Sequence, residues 1–218
     1  MRKMLMIAVL AVMVALASAC GGGGEKAAPV LSDADLKSIV TITSEDLPWQ
    51  VTPETDSAES NEQASQTFAD PSKWLANYEK WGRTGGHMAT FTGQAVAVQA
   101  QAESYTSIGG AKQAFSAVRD FLESGEALSV YASQGYAEVK IDKIDAAKVG
   151  DDSTAYRLQA TANGQQFDTL IILFRRGAVL ALAQASVSAA PEGGDPADVE
   201  AVANQMDGRI QSLLSGQP

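Results

Sequence analysis

Apolar residues recur at helical spacing in three segments, each bounded by residues that favour a helix end. The first pattern follows Asp70-Pro71, which provides an N-cap and a first-turn proline, and stops at Gly82. The second runs from near Gly109 to near Gly125, and the third follows Asp195-Pro196 almost to the end of the chain. The sequence therefore predicts three substantial helices, in addition to a brief helical turn between residues 32 and 36.

Alternation of apolar and polar residues over 95–103 and 137–142, and apolar segments bounded by turn signals elsewhere, predict strands. The five strands lie over residues 95–103, 137–142, 156–160, 167–174 and 179–187. Asn163-Gly164 is a two-residue hairpin signal, because both positions tolerate positive φ. In the first strand, Gln99, Gln101 and Glu103 occupy one face, which we expect to be in contact with water. The strand over 167–174 is the most apolar and should be central in the sheet.

This order of elements favours the α+β class. We expect one domain over residues 31–215, a mostly antiparallel twisted sheet of about five strands with helices packed on it. The stretch over 52–69 is acidic and nearly free of apolar residues, and we interpret it as a mobile loop. An alternative interpretation is that its carboxylates clamp a cationic ligand.

The N-terminus has the pattern of an export signal. Arg2 and Lys3 precede an apolar run that ends in the small residues Ala17-Ser18-Ala19, directly before Cys20. The run is shorter than the ~20 apolar residues that a bilayer-spanning helix needs, which favours cleavage. We expect residues 1–19 to be a cleaved signal peptide and residues 20–30, with four consecutive glycines, to be a flexible tether.

Leu16-Ala17-Ser18-Ala19-Cys20 resembles the lipobox of bacterial lipoproteins, although the family usually has leucine where this chain has Ala17. The resemblance implies that Cys20 receives a thioether-linked diacylglyceryl group, with N-acylation as a further modification, and becomes the new N-terminus. Two acyl chains suffice for stable anchoring. The resemblance thus implies an extracytoplasmic protein held to the bacterial cell membrane by Cys20. An ordinary signal peptide followed by a coincidental cysteine is the alternative.

Five short motifs are spread along the chain: Asp46-Leu47-Pro48, Trp81-Gly82-Arg83, Gly110-Ala111 before Ala114-Phe115, Val149-Gly150-Asp151 and Phe174-Arg175-Arg176-Gly177. Together they resemble motifs of poorly characterised lipoproteins from Gram-positive and Chloroflexi-type bacteria, over residues 36–214. The layout is also similar, more distantly, to the PsbP/Mog1-like fold of some mycobacterial lipoproteins. Neither resemblance implies a catalytic residue, and fold analogy alone does not supply a function.

Charge and cysteine content restrict the partners. The chain carries 16 basic and 26 acidic residues, and loss of Arg2 and Lys3 with the signal leaves a net charge of −12. Such a surface repels nucleic acid. Cys20 is the single cysteine, so a lipidated protein has no disulfide and depends on its apolar core.

The residues for several common chemistries are missing. His87 is the single histidine, so a zinc site built from several Cys or His ligands cannot form, and the Gly-x-Ser-x-Gly elbow of hydrolases is absent. We expect His87 to lie in a turn entering a strand, exposed or satisfied by backbone. Asp33-Ala34-Asp35 is too short for a calcium loop.

Other charged residues have ordinary interpretations. We expect Asp151-Asp152, Asp142 and Asp145 to be solvated acids at turns and strand ends. Asp168 should pair with Arg157 across the hairpin, as an exposed pair of small energetic value.

Two further groups leave alternatives open. Arg175-Arg176 either forms a basic hairpin corner or binds an anion. Trp74 and Trp81 either lock their helix onto the domain or floor a ligand pocket.

These observations predict a non-enzymatic, membrane-anchored binding module for a small ligand, a lipid or an envelope protein, with no metal and no cofactor beyond the lipid on Cys20. An enclosed apolar cavity of at least about 300 Å³ would favour a small ligand or lipid. The alternative is an envelope assembly factor, which should show an exposed apolar patch or an open strand edge. A third hypothesis, a carboxylate-based hydrolase, needs two acids facing each other within about 10 Å in a concave site.

Overall fold

The computed structural model describes residues 28–43, 47, 50–66, 68–93, 96–188 and 196–216. The predicted signal peptide, Cys20 and tether residues 21–27 lie outside the described residues. In the described ranges, no helix is both long and apolar enough to cross a membrane.

Helices and strands alternate in blocks along the chain. The described residues contain six helices: α1 Asp33–Val40, α2 Asn61–Ser65, α3 Pro71–Trp81, α4 Ile108–Leu122, α5 Gly125–Ser133 and α6 Pro196–Ser215. They also contain seven strands: β1 Thr52–Glu59, β2 Arg83–Thr92, β3 Val96–Tyr105, β4 Ala137–Ile144, β5 Asp152–Ala162, β6 Gln165–Arg176 and β7 Val179–Ser188.

All seven strands belong to one antiparallel sheet in the order β1-β2-β3-β7-β6-β5-β4. The α+β class and the antiparallel sheet are therefore confirmed, whereas the expected count of about five strands is too low. The two additional strands are β1 and β2, which extend the sheet beyond β3. The apolar strand β6 lies inside the sheet between β5 and β7, as predicted.

The predicted mobile loop over 52–69 is wrong, because this segment contains β1 and α2. Strand β1 is at the edge of the sheet, and its side chains are almost all exposed, which explains the absence of apolar alternation. It is held by backbone pairing to β2, with an irregularity in register between Pro53 and Thr55. The cap of α2 is a reciprocal capping box between Ser60 and Gln63.

Helices cover both faces of the sheet, which creates two apolar cores. One face packs against α3, α4 and α5, and we call it the α3–α5 face. The other, the α1–α6 face, packs against the first and last helices, with Ile39, Val202, Met206 and Ile210 fully buried. The prediction that the closing helix packs on the sheet is confirmed.

Local signals place most helix and turn boundaries correctly. Asp70 accepts a hydrogen bond from the Lys73 backbone N–H at 3.0 Å, and Gly82 ends α3 in the left-handed conformation, with φ of 72°. Asn163 and Gly164 both have positive φ, as the hairpin signal requires. Gly125, interpreted as a helix end, instead begins α5, and the preceding Ser124 is its N-cap.

Candidate binding site on the α3–α5 face

Strand β3 presents a line of polar side chains to the α3–α5 face. Gln99, Gln101 and Glu103 were expected to face water, but they are only 4%, 5% and 3% exposed. The expectation is wrong because β3 lies between β2 and β7, and helices cover both faces of the sheet. Three buried polar residues continue this line on the neighbouring strands, and we call the whole set the polar row. Its members are Gln99, Gln101, Glu103, Thr169, Gln184 and Ser186.

Cross-strand register fixes the order of the polar row. Gln99 lies opposite Gln184 of β7 on one side and opposite Thr90 of β2 on the other. Ser186 lies opposite Thr169 of β6, and their hydroxyls are 2.9 Å apart. Directly opposed side chains project to the same face, so these groups form one continuous hydrogen-bonding surface across four strands.

Burial decreases from β3 towards the edge of the sheet. Thr90 and Met88 of β2 are half-buried, and Thr55 and Ser57 of β1 are exposed. The registers place Thr55 opposite Thr90 and Ser57 opposite Met88, on the same face as the polar row. Side chains on this face therefore become more exposed from β3 to the edge strand β1.

One donor in the polar row has no acceptor. The Gln99 Nε2 group is buried and lacks a hydrogen-bond partner among the described residues. By contrast, the amide of Gln184 donates to Ser186 Oγ at 3.3 Å, and that of Gln101 donates to Glu59 Oε2 at 3.3 Å. A buried amide N–H without a partner is unusual, since most buried polar side-chain atoms are paired.

The row ends in an acidic cluster around Arg83. The Arg83 guanidinium is fully buried, and it lies 3.0 Å from Glu59 Oε2 and 3.2 Å from Glu103 Oε1. Tyr105 donates its phenolic proton to Glu103 Oε2 at 2.6 Å. A Cβ at Gly86 would lie 2.3 Å from Arg83 Nη2, so only glycine leaves room for the guanidinium at this position.

The pKa values in this cluster reflect burial and a surplus of negative charge. Burial, with Glu103 as a second cause, raises the pKa of Glu59 to about 7, although Arg83 acts in the opposite direction. Burial and the negative charge of Glu103 raise the pKa of Tyr105 well above its ordinary value, so the phenol stays protonated and remains a hydrogen-bond donor. Burial acts to lower the pKa of Arg83, but Glu103, Tyr105, Tyr78 and Glu59 together outweigh it, so the pKa is raised and the guanidinium stays charged.

Helix α3 supports the cluster with aromatic rings. The Tyr78 ring lies beneath the Arg83 guanidinium, with Cζ 4.8 Å from the ring centroid. Trp74 and Trp81 are buried against Tyr78, as expected for rings that lock the helix onto the domain. Trp74 also stacks on Phe68 at 3.9 Å and lines a partly open groove of about 370 Å³ between α3 and α5. The groove lies among the helices and is separate from the polar row.

His87 lies on the opposite face of β2 and has a structural role. The prediction of an exposed or backbone-satisfied turn histidine is wrong: His87 is 3% exposed, with Nδ1 2.8 Å from Asp33 of α1 and Nε2 against Asp56 of β1. Both ring nitrogens face carboxylates, which only accept hydrogen bonds, so the arrangement fits an imidazolium. Lys37 also pairs with Asp56, and first this lysine and then His87 lower the pKa of that carboxyl.

Arg175 and Arg176 both form ion pairs with aspartates of the same chain. Arg175 contacts Asp151 at 3.1 Å and Asp152 at 2.6 Å, and Arg176 contacts Asp207 of α6 at 2.6 Å. Asp151 and Asp152 lie at the start of β5 and their side chains are 40% and 45% exposed, as expected of solvated acids, and both also pair with Arg175. These ion pairs tie the β5 and β6 ends to α6, which argues against an anion site there.

The predicted partner of Asp168 is confirmed, but its environment differs from the expectation. Arg157 Nε lies 3.3 Å from Asp168 Oδ1, and Asp168 is buried rather than exposed. In the part of the chain that the structure describes, no three His, Cys, Asp or Glu side chains are arranged to hold a metal ion.

Comparison with known protein families and with curated proteins finds no match. Among solved structures, the chain is similar to the extracellular domain of PknH from Mycobacterium tuberculosis, with 10% identity and a TM-score of 0.49 over 87% of this chain and 99% of that chain. It is also similar to an uncharacterized protein, an Rv0999 ortholog, from Mycobacterium smegmatis, with 9% identity and a TM-score of 0.41 over 83% and 94% of the two chains. Likenesses this distant transfer no residue role to this chain.

Proposed function

We propose that this chain is a non-enzymatic binding module of the cell envelope, anchored through Cys20, whose polar ligand contacts the polar row. The observation that carries the proposal is the buried, unpartnered amide of Gln99. Leaving a buried donor unpaired costs roughly 1–3 kcal/mol. A ligand that supplies the acceptor explains why a polar residue is retained there.

The geometry favours binding over hydrolysis. Glu59 and Glu103 both accept from the amide of Gln101, so they are well within the ~10 Å that paired-carboxylate catalysis requires. However, the buried guanidinium of Arg83 contacts both carboxylates and occupies the space where a scissile bond would have to lie.

The assembly-factor alternative depends on an open strand edge. Strands β1 and β4 are the two edges of the sheet. Proteins prevent pairing at a sheet edge with proline and with charged side chains. Strand β1 carries Pro53 and several acids, and strand β4 carries Lys140 and Lys143. Both edges therefore disfavour addition of a partner strand.

Replacing Gln99 by leucine should separate stability from binding. Removal of an unpaired buried amide should leave the free energy of unfolding unchanged or raise it by about 1 kcal/mol, because no hydrogen bond is lost. The same change should abolish ligand retention, measured by native mass spectrometry of protein purified under gentle conditions. Urea denaturation measures the stability.

Ser186→Ala is the matched control, because Ser186 bonds both Thr169 and Gln184. We expect this change to destabilise the domain by about 1–2 kcal/mol. If Gln99→Leu destabilises the domain as much as Ser186→Ala does, Gln99 is a structural residue and the binding proposal fails.

The anchor is tested independently at Cys20. Cys20→Ser should abolish metabolic labelling with a clickable palmitate analogue and release the protein from the membrane fraction, because serine lacks the thiol that carries the lipid. Ser18→Ala is a suitable control, since it keeps a small residue before the cysteine. Labelling that persists in Cys20→Ser would contradict the lipoprotein assignment.

A further inference from the structure

We propose that the ligand of the polar row carries a protonated amine that pairs with Glu59. This inference rests on the proposed function, which it deepens by naming the chemical class of the ligand. It places the amine at the acidic end of the row and a hydrogen-bond acceptor at Gln99.

The acidic cluster lacks one positive charge. Within the described part of the chain, Arg83 is the single basic side chain paired with Glu59 or Glu103, so two carboxylates share one guanidinium. Glu103 has Tyr105 as an additional charge-stabilising donor, at 2.6 Å. Buried carboxylates are stable as ions only when they are paired, so an incoming cation would be bound favourably here.

Glu59 is the member of the cluster that a ligand can reach. Its side chain is 13% exposed, against 4% for Glu103 and none for Arg83. Glu59 is the last residue of the edge strand β1, and the other side chains of this strand are exposed to solvent. Burial first and the neighbouring Glu103 second raise the pKa of Glu59 to about 7, and a cation beside the carboxylate would counter both effects.

Gln99 indicates the size of the ligand. Its unpaired amide lies two residues from Gln101 on the same face of β3, which corresponds to roughly 7 Å along the strand. Because Gln101 donates to Glu59, an amine at Glu59 would lie beyond the Gln101 side chain, several bonds from an acceptor at Gln99. A small aliphatic amine with a hydroxyl or carbonyl oxygen several bonds away fits these two points.

A metal ion fits less well than an amine. Glu59 Oε2 already accepts from Arg83 and Gln101, and Glu103 Oε1 accepts from Gln101 and forms an ion pair with Arg83. No third acidic, histidine or cysteine ligand joins them in the described residues. The other groups of the row are amides and hydroxyls, which suit a polar organic molecule.

The test is an NMR titration of the mature protein with 5-amino-1-pentanol and, as its neutral counterpart, 1,5-pentanediol. The amine should bind at least tenfold more tightly than the diol at pH 8, where an alkylamine is still protonated. Its affinity should fall about tenfold from pH 8 to pH 6, as Glu59 takes up a proton. Glu59→Gln should remove the preference for the amine, whereas Glu54→Gln, which removes an exposed acid from the same strand, should retain it.

Thermal unfolding of Glu59→Gln verifies that the variant is folded. Equal binding of amine and diol that is lost in Gln99→Leu would overturn this inference and leave the proposed function intact. A preference for the amine that survives Glu59→Gln would also overturn it. The inference would also be overturned if the amine did not bind at concentrations up to roughly 0.1 M. Specific binding of even so small a ligand is expected below that concentration. A neutral molecule that co-purifies and depends on Gln99 would then still support the proposed function.

Discussion

Arg83→Met is expected to lower the free energy of unfolding by about 3–5 kcal/mol. The guanidinium is fully buried between Glu59 and Glu103, so methionine fills part of its volume but leaves two buried carboxylates without a cation. Glu59 can avoid the cost of an unpaired buried charge by taking up a proton, because its pKa is already about 7. Glu103 has Tyr105 as its remaining strong donor, and its ionised form becomes costly. Urea denaturation followed by circular dichroism measures the loss.

The pairing explanation is tested by removing the acids as well. Arg83→Met combined with Glu59→Gln and Glu103→Gln should recover at least half of the lost stability, since the buried charges are then absent. Arg119→Met is the control, because Arg119 forms an exposed pair with Asp120 and should change stability by less than about 1 kcal/mol. If the triple variant is no more stable than Arg83→Met, packing rather than charge is the dominant role of Arg83.

Gly110→Ala is expected to destabilise the domain by about 3 kcal/mol or more. Gly110 lies in the first turn of α4, where the helix crosses the end of α3, and a Cβ would lie 1.9 Å from the Trp81 carbonyl oxygen. That oxygen belongs to the backbone, so the contact cannot be relieved by a rotamer change. One of the two helices must move, and α3 holds the Tyr78 ring beneath Arg83. The midpoint of urea denaturation should therefore shift markedly.

Gly125→Ala is a matched control for this substitution. Gly125 also lies at the start of a helix, and a Cβ there would have no atom within 4 Å outside its immediate neighbours. Alanine should therefore leave stability unchanged or raise it by about 0.5–1 kcal/mol, through the restricted unfolded chain. If Gly110→Ala and Gly125→Ala lowered stability equally, close packing at the α3–α4 crossing would not be the cause of the loss at Gly110.

Features determined by neighbouring residues could be predicted from the sequence. Asp70-Pro71 and Gly82 delimit α3 because an N-cap, a first-turn proline and a left-handed C-cap act within one helical turn. Asn163-Gly164 fixes a hairpin for the same reason. The five predicted strands all exist, since each is marked locally by alternation or by an apolar run between turn residues.

Features determined by distant pairing could not be predicted in this way. Strand β1 is held by backbone hydrogen bonds to β2, and its exposed, acidic side chains are indistinguishable from those of a loop. The carboxylates that surround His87 are 54 and 31 residues away in the sequence, and nothing near the histidine indicates them.

The candidate site belongs to the second category. Alternation correctly places Gln99, Gln101 and Glu103 on one face of β3, but it cannot show that helices cover that face. Arg83 and Glu59 join the cluster through cross-strand register, and a Cβ at Gly86 would collide with the Arg83 guanidinium and crowd the Ala102 carbonyl oxygen. A polar face on a strand with long neighbours on both sides is the signal that could have drawn attention to it.

The topology links the site to the course of folding. Strands β1–β3 and β4–β7 are two meanders of neighbouring strands, and the ladder between β3 and β7 joins them through residues 75 to 91 positions apart. Closing so long a loop is the slow, entropically costly part of forming the sheet. Gln99 of β3 and Gln184 of β7 face each other across this ladder. The polar row therefore exists only once the two halves have joined, and a ligand bound to it would act as a clamp that slows their separation.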